Sequence, residues 1–175
     1  MKYNIRKAKL EDAKGIAKVH ITSWRETYRG IVDDEYLKSL SIETRTKKWE
    51  TILKTPKDDK WTFVAENESG KIVGFISGGL AQEYFAKFTG ELYAIYILKK
   101  DQGEKLGYRL TKKLCSMLQK LEINTMYVCV LADNQSKNFY TKYGAKRFKS
   151  KPVNIGKQML QEEYYGWKNF ENFLK

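Results

Sequence analysis

The spacing of hydrophobic and polar residues predicts one strand and then helices in the first third of the chain. The alternating strand covers residues 3–9, and the segments with the helical period cover residues 10–28, 33–40 and 41–54. Gly30 interrupts the first helical segment, and Ser41 is the predicted N-cap of the third. A charged segment after Pro56 predicts a loop before the pattern changes.

The rest of the chain is predicted to be mainly strands. Alternating or continuously apolar runs predict strands at residues 61–67, 71–80, 91–98, 126–132, 145–151 and 158–167. Leucines recur every three or four residues from Leu106 to Leu121 and predict a long helix, and a short helix ends at Gly144. Residues 80–90 and 152–157 are predicted to be loops.

The order of these elements predicts a mixed α/β (α+β) fold built around one sheet. A chain of 175 residues with 42% hydrophobic and 14% aromatic residues is typical of one globular unit. We therefore predict a single domain over residues 1–175, long enough to bury a substantial core.

Composition excludes several classes of protein. No apolar run approaches the ~20 residues of a membrane span, and the first residues lack the apolar segment of a secretion signal. We expect a cytoplasmic protein without a membrane partner, in which Cys115 and Cys129 are reduced and buried. His20 is the only histidine, so neither a zinc site nor a histidine-based catalytic triad is predicted, and we expect it to be a packed or capped residue and not a base.

The net charge of +12 suggests nucleic-acid binding, but the sequence pattern does not support it. The cations are mostly lysines spread along the whole chain, and the order of elements matches no helix-turn-helix. We interpret the charge as a solvated surface that also attracts an anionic small ligand, and we predict no nucleic-acid partner.

Residues 99–110, KKDQGEKLGYRL, join a predicted strand to the long helix. Free N–H groups and the helix dipole make such a junction an anion site, although an ordinary strand-to-helix turn gives the same pattern. The segment is neither G-x-x-x-x-G-K-[ST] nor G-x-G-x-x-G, so it is not one of the two common phosphate loops.

At this turn the sequence resembles the GNAT superfamily of acetyl-CoA-dependent N-acyltransferases, whose members carry Q/R-x-x-G-x-G/A. Gln102 and Gly107 match this motif, whereas Lys105 replaces its middle glycine. We expect Gly103 to supply the lost flexibility and Lys105 to contact phosphate. A second segment, DNQSKNFYTKYG, resembles the family's N-x-S/A-x-x-F-Y-x-x-x-G, with matches at Asn134, Ser136, Phe139, Tyr140 and Gly144.

The resemblance implies a GNAT-like fold, with a central, mostly antiparallel sheet of about seven strands flanked by helices. It also implies acetyl-CoA as cosubstrate and no metal. In the family the strand before the turn splays from its neighbour, and the pantetheine arm pairs with its free backbone groups. The residues implied to bind acetyl-CoA are Ile95, Tyr96, Ile97, Gln102, Gly103, Glu104, Lys105, Leu106, Gly107, Tyr108, Asn134, Ser136 and Phe139.

The resemblance further implies acetyl transfer to a primary amine of a small molecule or polypeptide. Tyr140 is the expected general acid, because a tyrosine with a pKa of ~10 can protonate a thiolate; the alternative is a core aromatic. Glu91 is the candidate general base, or a solvent-exposed carboxylate at a strand end. Trp24 and Tyr28, four residues apart, line the acceptor pocket or belong to the core.

Two other functions remain open at this point. The chain could hold an acyl-CoA without catalysis, as a sensor or scaffold, or it could be a basic nucleic-acid-binding domain. The family resemblance also makes a homodimer plausible, through the late strands.

Overall fold

The computed structural model describes residues 2–174, so Met1 and Lys175 of the predicted domain lie outside it. The described strands are Tyr3–Lys7 (β1), Lys60–Asn67 (β2), Ile72–Phe85 (β3), Phe88–Ile97 (β4), Met126–Leu131 (β5), Lys146–Ile155 (β6) and Gln158–Trp167 (β7). The described α-helices are Ala13–Thr27 (α1), Asp34–Ser39 (α2), Ile42–Lys54 (α3), Leu106–Gln119 (α4) and Lys137–Lys142 (α5).

The strands form one sheet in the order β1-β2-β3-β4-β5-β7-β6. Neighbouring strands are antiparallel except β4 and β5, which are parallel. The predicted α/β class and the mostly antiparallel sheet of about seven strands are therefore confirmed.

Helices cover both faces of the sheet because each helix is apolar on one side only. The leucines of α4 are buried against one face, together with Ile76, Leu92 and Met126. On the other face, α1 and α3 bury Ile16 and Trp49 against strand residues that include Phe75. The leucines whose spacing predicted α4 are thus the residues that this helix buries against the sheet.

Two predicted helix ends are confirmed in detail. The Ser41 hydroxyl accepts a hydrogen bond of 3.2 Å from the Thr44 N–H and caps α3. Gly144 follows α5 with φ of +92°, a left-handed conformation that a glycine adopts without steric cost.

The two predicted loops, residues 80–90 and 152–157, are wrong. Residues 80–85 extend β3, residues 88–90 begin β4, and β6 continues to Ile155, so both segments form hairpins. Over residues 80–85 the chain alternates between exposed and half-buried side chains, because only one face of this hairpin is covered. Phe85 on the covered face packs edge-on against Tyr127 and Tyr164. That covering comes from distant strands, so the local pattern did not reveal it.

No helix within residues 2–174 is both long and apolar enough to cross a bilayer. Both cysteines are free thiols, and Cys115 is buried as predicted. The prediction that Cys129 is also buried is wrong: its side chain is half-buried because it lines a cavity between β4 and β5.

The prediction that His20 is a packed residue is confirmed. Its ring stacks on Tyr96 with 4.8 Å between centroids and lies 5.5 Å from Phe75. Trp49 donates its indole N–H to the His20 Nδ1 at 3.4 Å. Burial, aided by the charge of Arg45, lowers the pKa of His20 to about 3, so the folded protein holds a neutral imidazole.

We predict that lowering the pH from about 7.5 to about 5 reduces the free energy of unfolding by about 2 kcal/mol through His20. The unfolded chain takes up a proton near pH ~6.5, whereas the folded chain does so only near pH 3, so acid favours unfolding. Urea unfolding at a series of pH values measures this loss. The His20→Phe variant should lack this part of the pH dependence; an unchanged slope would contradict the assignment.

Candidate active site

The sheet opens between β4 and β5. Only Gly90, Glu91 and Leu92 of β4 pair with β5, at Met126, Tyr127 and Val128. On the other side of β4, Ser77 pairs with Ala94 but Gly78 pairs with Leu92, so Tyr93 is a bulge. From Tyr93 to Ile97, no pairing with β5 exists within residues 2–174. On this edge the Ile97 carbonyl accepts a hydrogen bond of 3.1 Å from Gln102 Nε2, whereas the other backbone groups that face β5 have no partner strand there.

The opening leads into a cavity whose walls come from four parts of the chain. Gln102 marks one end, and Cys129 lies on the opposite strand. Of the residues predicted for cofactor, acceptor or catalysis, the cavity is lined by Tyr28, Ile95, Tyr96, Ile97, Gln102, Asn134, Ser136 and Tyr140. The other residues that line the cavity were not predicted as site residues: Ser23, Thr27, Leu92, Tyr93, Ala94, Val128, Cys129 and Val130.

A signal for two of the missed residues was present in the sequence. Ser23 and Thr27 are polar residues four apart on the same side of a helix that is otherwise buried by apolar side chains. Polar residues on the buried side of a helix are uncommon, and they indicate a candidate binding site. The missed strand residues carry no such signal, since their side chains are those of an ordinary sheet.

The turn from Gln102 to Gly107 contains two left-handed residues. Gly103 has φ of +85°, and Lys105, the N-cap of α4, has φ of +56°. Gly103 therefore does not replace the missing glycine: Lys105 itself adopts the conformation, at a steric cost. No backbone N–H from Gly103 to Gly107 has an acceptor among the described residues. These groups and the dipole of α4 form a site for an anion.

Strand β1 braces this turn. The Tyr3 hydroxyl donates to Asp101 Oδ1 at 3.0 Å, and Lys2 forms a salt bridge of 2.8 Å with Glu104. Arg109, on the first turns of α4, donates to the Tyr3 carbonyl at 3.1 Å. The anion site is thus anchored to the edge of the sheet.

The last residues of the turn serve packing. A Cβ on Gly107 would lie 3.3 Å from the Phe139 ring, so the glycine lets α4 approach α5 closely. Tyr108 packs its ring against Tyr143 and Phe173. Phe139 and Tyr108, predicted to bind cofactor, therefore pack against neighbouring aromatic residues and do not line the cavity.

Hydrogen bonds hold the side chains of the cavity wall in place, one of them from Trp24, which contrary to the prediction does not itself line the cavity. Trp24 donates its indole N–H to the Tyr96 hydroxyl at 3.0 Å, and Asn134 donates to the Tyr28 hydroxyl at 3.1 Å. The Asn134 Oδ1 accepts from the Ser136 N–H at 2.8 Å. This network fixes the aromatic rings that form the cavity wall.

Tyr140 differs from the other tyrosines of the cavity. Its side chain is 5% exposed, and its hydroxyl has no hydrogen-bond partner within residues 2–174. Burial, followed by the proximity of Tyr28, raises the pKa of Tyr140 above its ordinary value. The hydroxyl therefore stays protonated at neutral pH and is available to a ligand as a donor.

Two carboxylates, those of Glu91 and Glu162, lie near Cys129. Glu91 Oε2 accepts hydrogen bonds from the Tyr127 hydroxyl at 2.8 Å and from the Gln82 N–H at 2.7 Å. Glu91 is half-buried, so the alternative of a solvent-exposed carboxylate is wrong, and it does not line the cavity. The Tyr164 hydroxyl lies 3.2 Å from Glu83 Oε2 and 3.3 Å from Glu162 Oε2, and it has one hydrogen to donate to either of them.

The charge of this group is only partly neutralised. Within the described residues, neither Glu91 nor Glu162 forms a salt bridge, whereas Glu83 nearby is paired with Lys149 and Lys151. Burial raises the pKa of the Cys129 thiol to about 12, so this thiol is not a nucleophile at neutral pH. Two carboxylates without salt bridges, Glu91 and Glu162, therefore lie close enough to Cys129 to act on its thiol, as does the cation of Lys151.

The sequence of this chain is similar to those of known acetyltransferases. Residues 21–145 match the acetyltransferase (GNAT) family. An uncharacterized N-acetyltransferase of Bacillus subtilis, YuaI, is 37% identical over 163 residues, which cover 93% of this chain and 91% of that protein. The spermidine N(1)-acetyltransferase of Thermoplasma acidophilum is 26% identical over 149 residues, covering 83% and 89%.

A solved structure shares the fold. The PaiA N-acetyltransferase of Thermoplasma acidophilum, in complex with coenzyme A, superposes with a TM-score of 0.69 at 24% identity. The superposition covers 93% of this chain and 98% of that one.

We predict that Lys105→Gly raises the free energy of unfolding by about 1 kcal/mol, because glycine adopts the left-handed conformation without the steric cost. Glu122, with φ of +60° beyond the other end of α4, provides a matched control, and Glu122→Gly should give a similar gain. Urea unfolding measures both variants. A gain for Glu122→Gly with a loss for Lys105→Gly would show that contacts of the lysine outweigh its strain.

Proposed function

Because the chain belongs to the GNAT family of acetyltransferases and is an acetyl-CoA-dependent N-acetyltransferase, we propose that its acceptor is a primary amine of a small cationic molecule. The observation that carries this proposal is the cavity between β4 and β5. It has Gln102 and the anion site at one end, the free Tyr140 hydroxyl in its wall, and unpaired carboxylates beyond Cys129.

The residues of the cleft fit acetyl-CoA, which supplies an acetyl group on a thioester when bound. The free N–H groups from Gly103 to Gly107 suit a pyrophosphate, and the Lys105 ammonium adds charge. The edge of β4 around Ile95 has no partner strand and suits the amide groups of a pantetheine arm, while the Ile97 carbonyl is bonded to Gln102 Nε2. In this proposal Asn134 and Ser136 form the opposite wall.

Tyr140 is the proposed general acid. Its Oη lies in a cavity wall without a protein partner, and its raised pKa keeps the proton in place. When the bond from the acetyl carbon to sulfur breaks, Tyr140 donates this proton to the leaving thiolate. General acid catalysis of this kind contributes about 10²–10⁴-fold in rate.

Glu91 is the proposed general base. An alkyl amine has a pKa of ~10.4, so at neutral pH it must lose a proton before it can attack a carbonyl carbon. Tyr127 and Gln82 both donate to Glu91 Oε2, while Oε1 has no partner among the described residues. Oε1 can therefore accept the proton, directly or through one water.

Local charge supports a cationic acceptor. The whole chain carries a net charge of +12 and repels cations, yet Glu91 and Glu162 stand without salt bridges beside the cavity. Tyr28 provides aromatic surface on the α1 side of the cavity, and Trp24 packs against it with 4.6 Å between the rings. The 26% identity with a spermidine N(1)-acetyltransferase supports the same class of acceptor.

Cytoplasmic location is also part of this proposal, since free Cys115 and Cys129 favour a reducing compartment. The homodimer and the absence of nucleic-acid and membrane partners stay predictions. Edge strand β6 carries Lys149, Lys151 and Pro152, which disfavour pairing with another strand at that edge.

Calorimetric titration with acetyl-CoA, CoA and ATP, followed by an assay of thiol release, tests the function. We expect micromolar affinity for acetyl-CoA, much weaker binding of ATP, and faster turnover with putrescine or spermidine than with butylamine. Tyr140→Phe should lower kcat by about 100-fold or more at unchanged affinity for CoA. Tyr143→Phe, on the same helix end, is the matched control.

Other outcomes separate the alternatives. Tight binding of CoA without thiol release for any amine would support a sensor or scaffold. Faster turnover with butylamine than with putrescine would contradict the cationic acceptor but not the acetyl transfer.

Glu91→Gln is expected to lower kcat/KM by about 10- to 100-fold near neutral pH. This loss should shrink toward about pH 9.5, because more of the amine is then already deprotonated. Glu162→Gln is the control: it should raise KM for diamines by a factor that follows no such pH trend. Equal activity of Glu91→Gln and the unmodified protein at neutral pH would remove Glu91 from the mechanism.

A further inference from the structure

Ser23 has a buried hydroxyl that lacks a partner. The residue lies on α1, is 3% exposed, and its Oγ has no hydrogen bond within residues 2–174. Other helical hydroxyls bond to the carbonyl four residues earlier: Thr46, Thr111 and Ser116 each do so at 2.8 Å. Ser23 is turned away from that bond, which is unfavourable unless a ligand completes it.

Ser23 is one of the residues that line the cavity between β4 and β5, and its Oγ is buried just behind the surface of that cavity. One turn later on α1, Glu26 accepts a hydrogen bond of 3.2 Å from the N–H of Lys99, the second residue after β4. This stretch of α1 therefore runs beside the end of β4 that leads to the anion site. Tyr28, in contrast, contacts Asn134 and lies near Glu162, on the acceptor side.

We propose that the Ser23 Oγ forms a hydrogen bond with an amide group of the pantetheine arm of CoA. The edge from Tyr93 to Ile97, which does not pair with β5, then holds the arm through its backbone, and Ser23 holds it through a side chain of α1. An amide carbonyl or N–H satisfies a hydroxyl, which both donates and accepts. This assignment rests on the proposed function, in which the cavity holds acetyl-CoA.

Calorimetric titration of Ser23→Ala with two probes tests the assignment. CoA carries the arm, whereas 3′-phosphoadenosine 5′-diphosphate, the nucleotide part of CoA with its pyrophosphate, lacks it. We expect the Kd for CoA to rise about five- to tenfold and the Kd for this nucleotide to stay unchanged. Ser116→Ala, which removes a hydroxyl already bonded to its own helix, is the matched control and should change neither value.

Thermal stability gives a second test. Ser23→Ala is expected to stabilise the free protein or leave it unchanged, while CoA stabilises the variant less than it stabilises the unmodified protein. Without ligand, Ser23→Ala should have an unfolding midpoint equal to or above that of the unmodified protein, because it removes an unsatisfied buried hydroxyl. With saturating CoA, its gain in midpoint should be smaller than that of the unmodified protein.

Three results would overturn the inference. Equal affinity of Ser23→Ala and the unmodified protein for CoA would show that the hydroxyl does not contact the arm. Equal weakening for both probes would assign the effect to the anion site. A rise confined to the KM of the amine would place Ser23 on the acceptor side. Failure of the unmodified protein to bind CoA would instead overturn the proposed function itself, and this inference with it.

Discussion

The site depends on a backbone constraint at the centre of the sheet. β4 and β5 separate after three paired residues, and the bulge at Tyr93 turns β4 away from its neighbour. Buried N–H and C=O groups without hydrogen-bond partners are unfavourable. A ligand that bonds to this edge of β4 removes that cost, so the opening favours binding. The cavity, the position of Tyr140 in its wall and the closeness of α1 all follow from this separation. In the proposed mechanism the arm of CoA takes the place that β5 leaves.

Charge is divided between the two ends of the cleft. At one end the free N–H groups of the turn, the dipole of α4 and the ammonium of Lys105 favour an anion. At the other end Glu91 and Glu162 favour a cation, although the chain as a whole is strongly basic. Between them, burial keeps the hydroxyl of Tyr140 neutral by raising its pKa. In the proposed function, an anionic donor binds at one end of the cleft and a cationic acceptor at the other.

Lys105 replaces a glycine of the motif, and the fold accommodates the steric cost of its left-handed backbone conformation. Lys105 adopts a left-handed conformation that glycine would adopt freely, and the surrounding contacts hold it there. Tyr3 and Lys2 of the neighbouring edge bind the turn through Asp101 and Glu104. The turn keeps its shape because the sheet edge stabilises it, so the motif survives the loss of one glycine.

The sequence by itself determined the order of elements, the buried stripe of α4, the caps at Ser41 and Gly144, and the two motifs, because these depend on neighbours within a few residues. It did not reveal the hairpins over residues 80–90 and 152–157, whose covering comes from other strands. Only the tertiary structure placed Glu91 beside Tyr127, Cys129 in a cavity wall, and the unpartnered hydroxyl of Ser23 next to a free strand edge. Each of these depends on strand register and on the point where β4 leaves β5, and pairing between distant segments decides both.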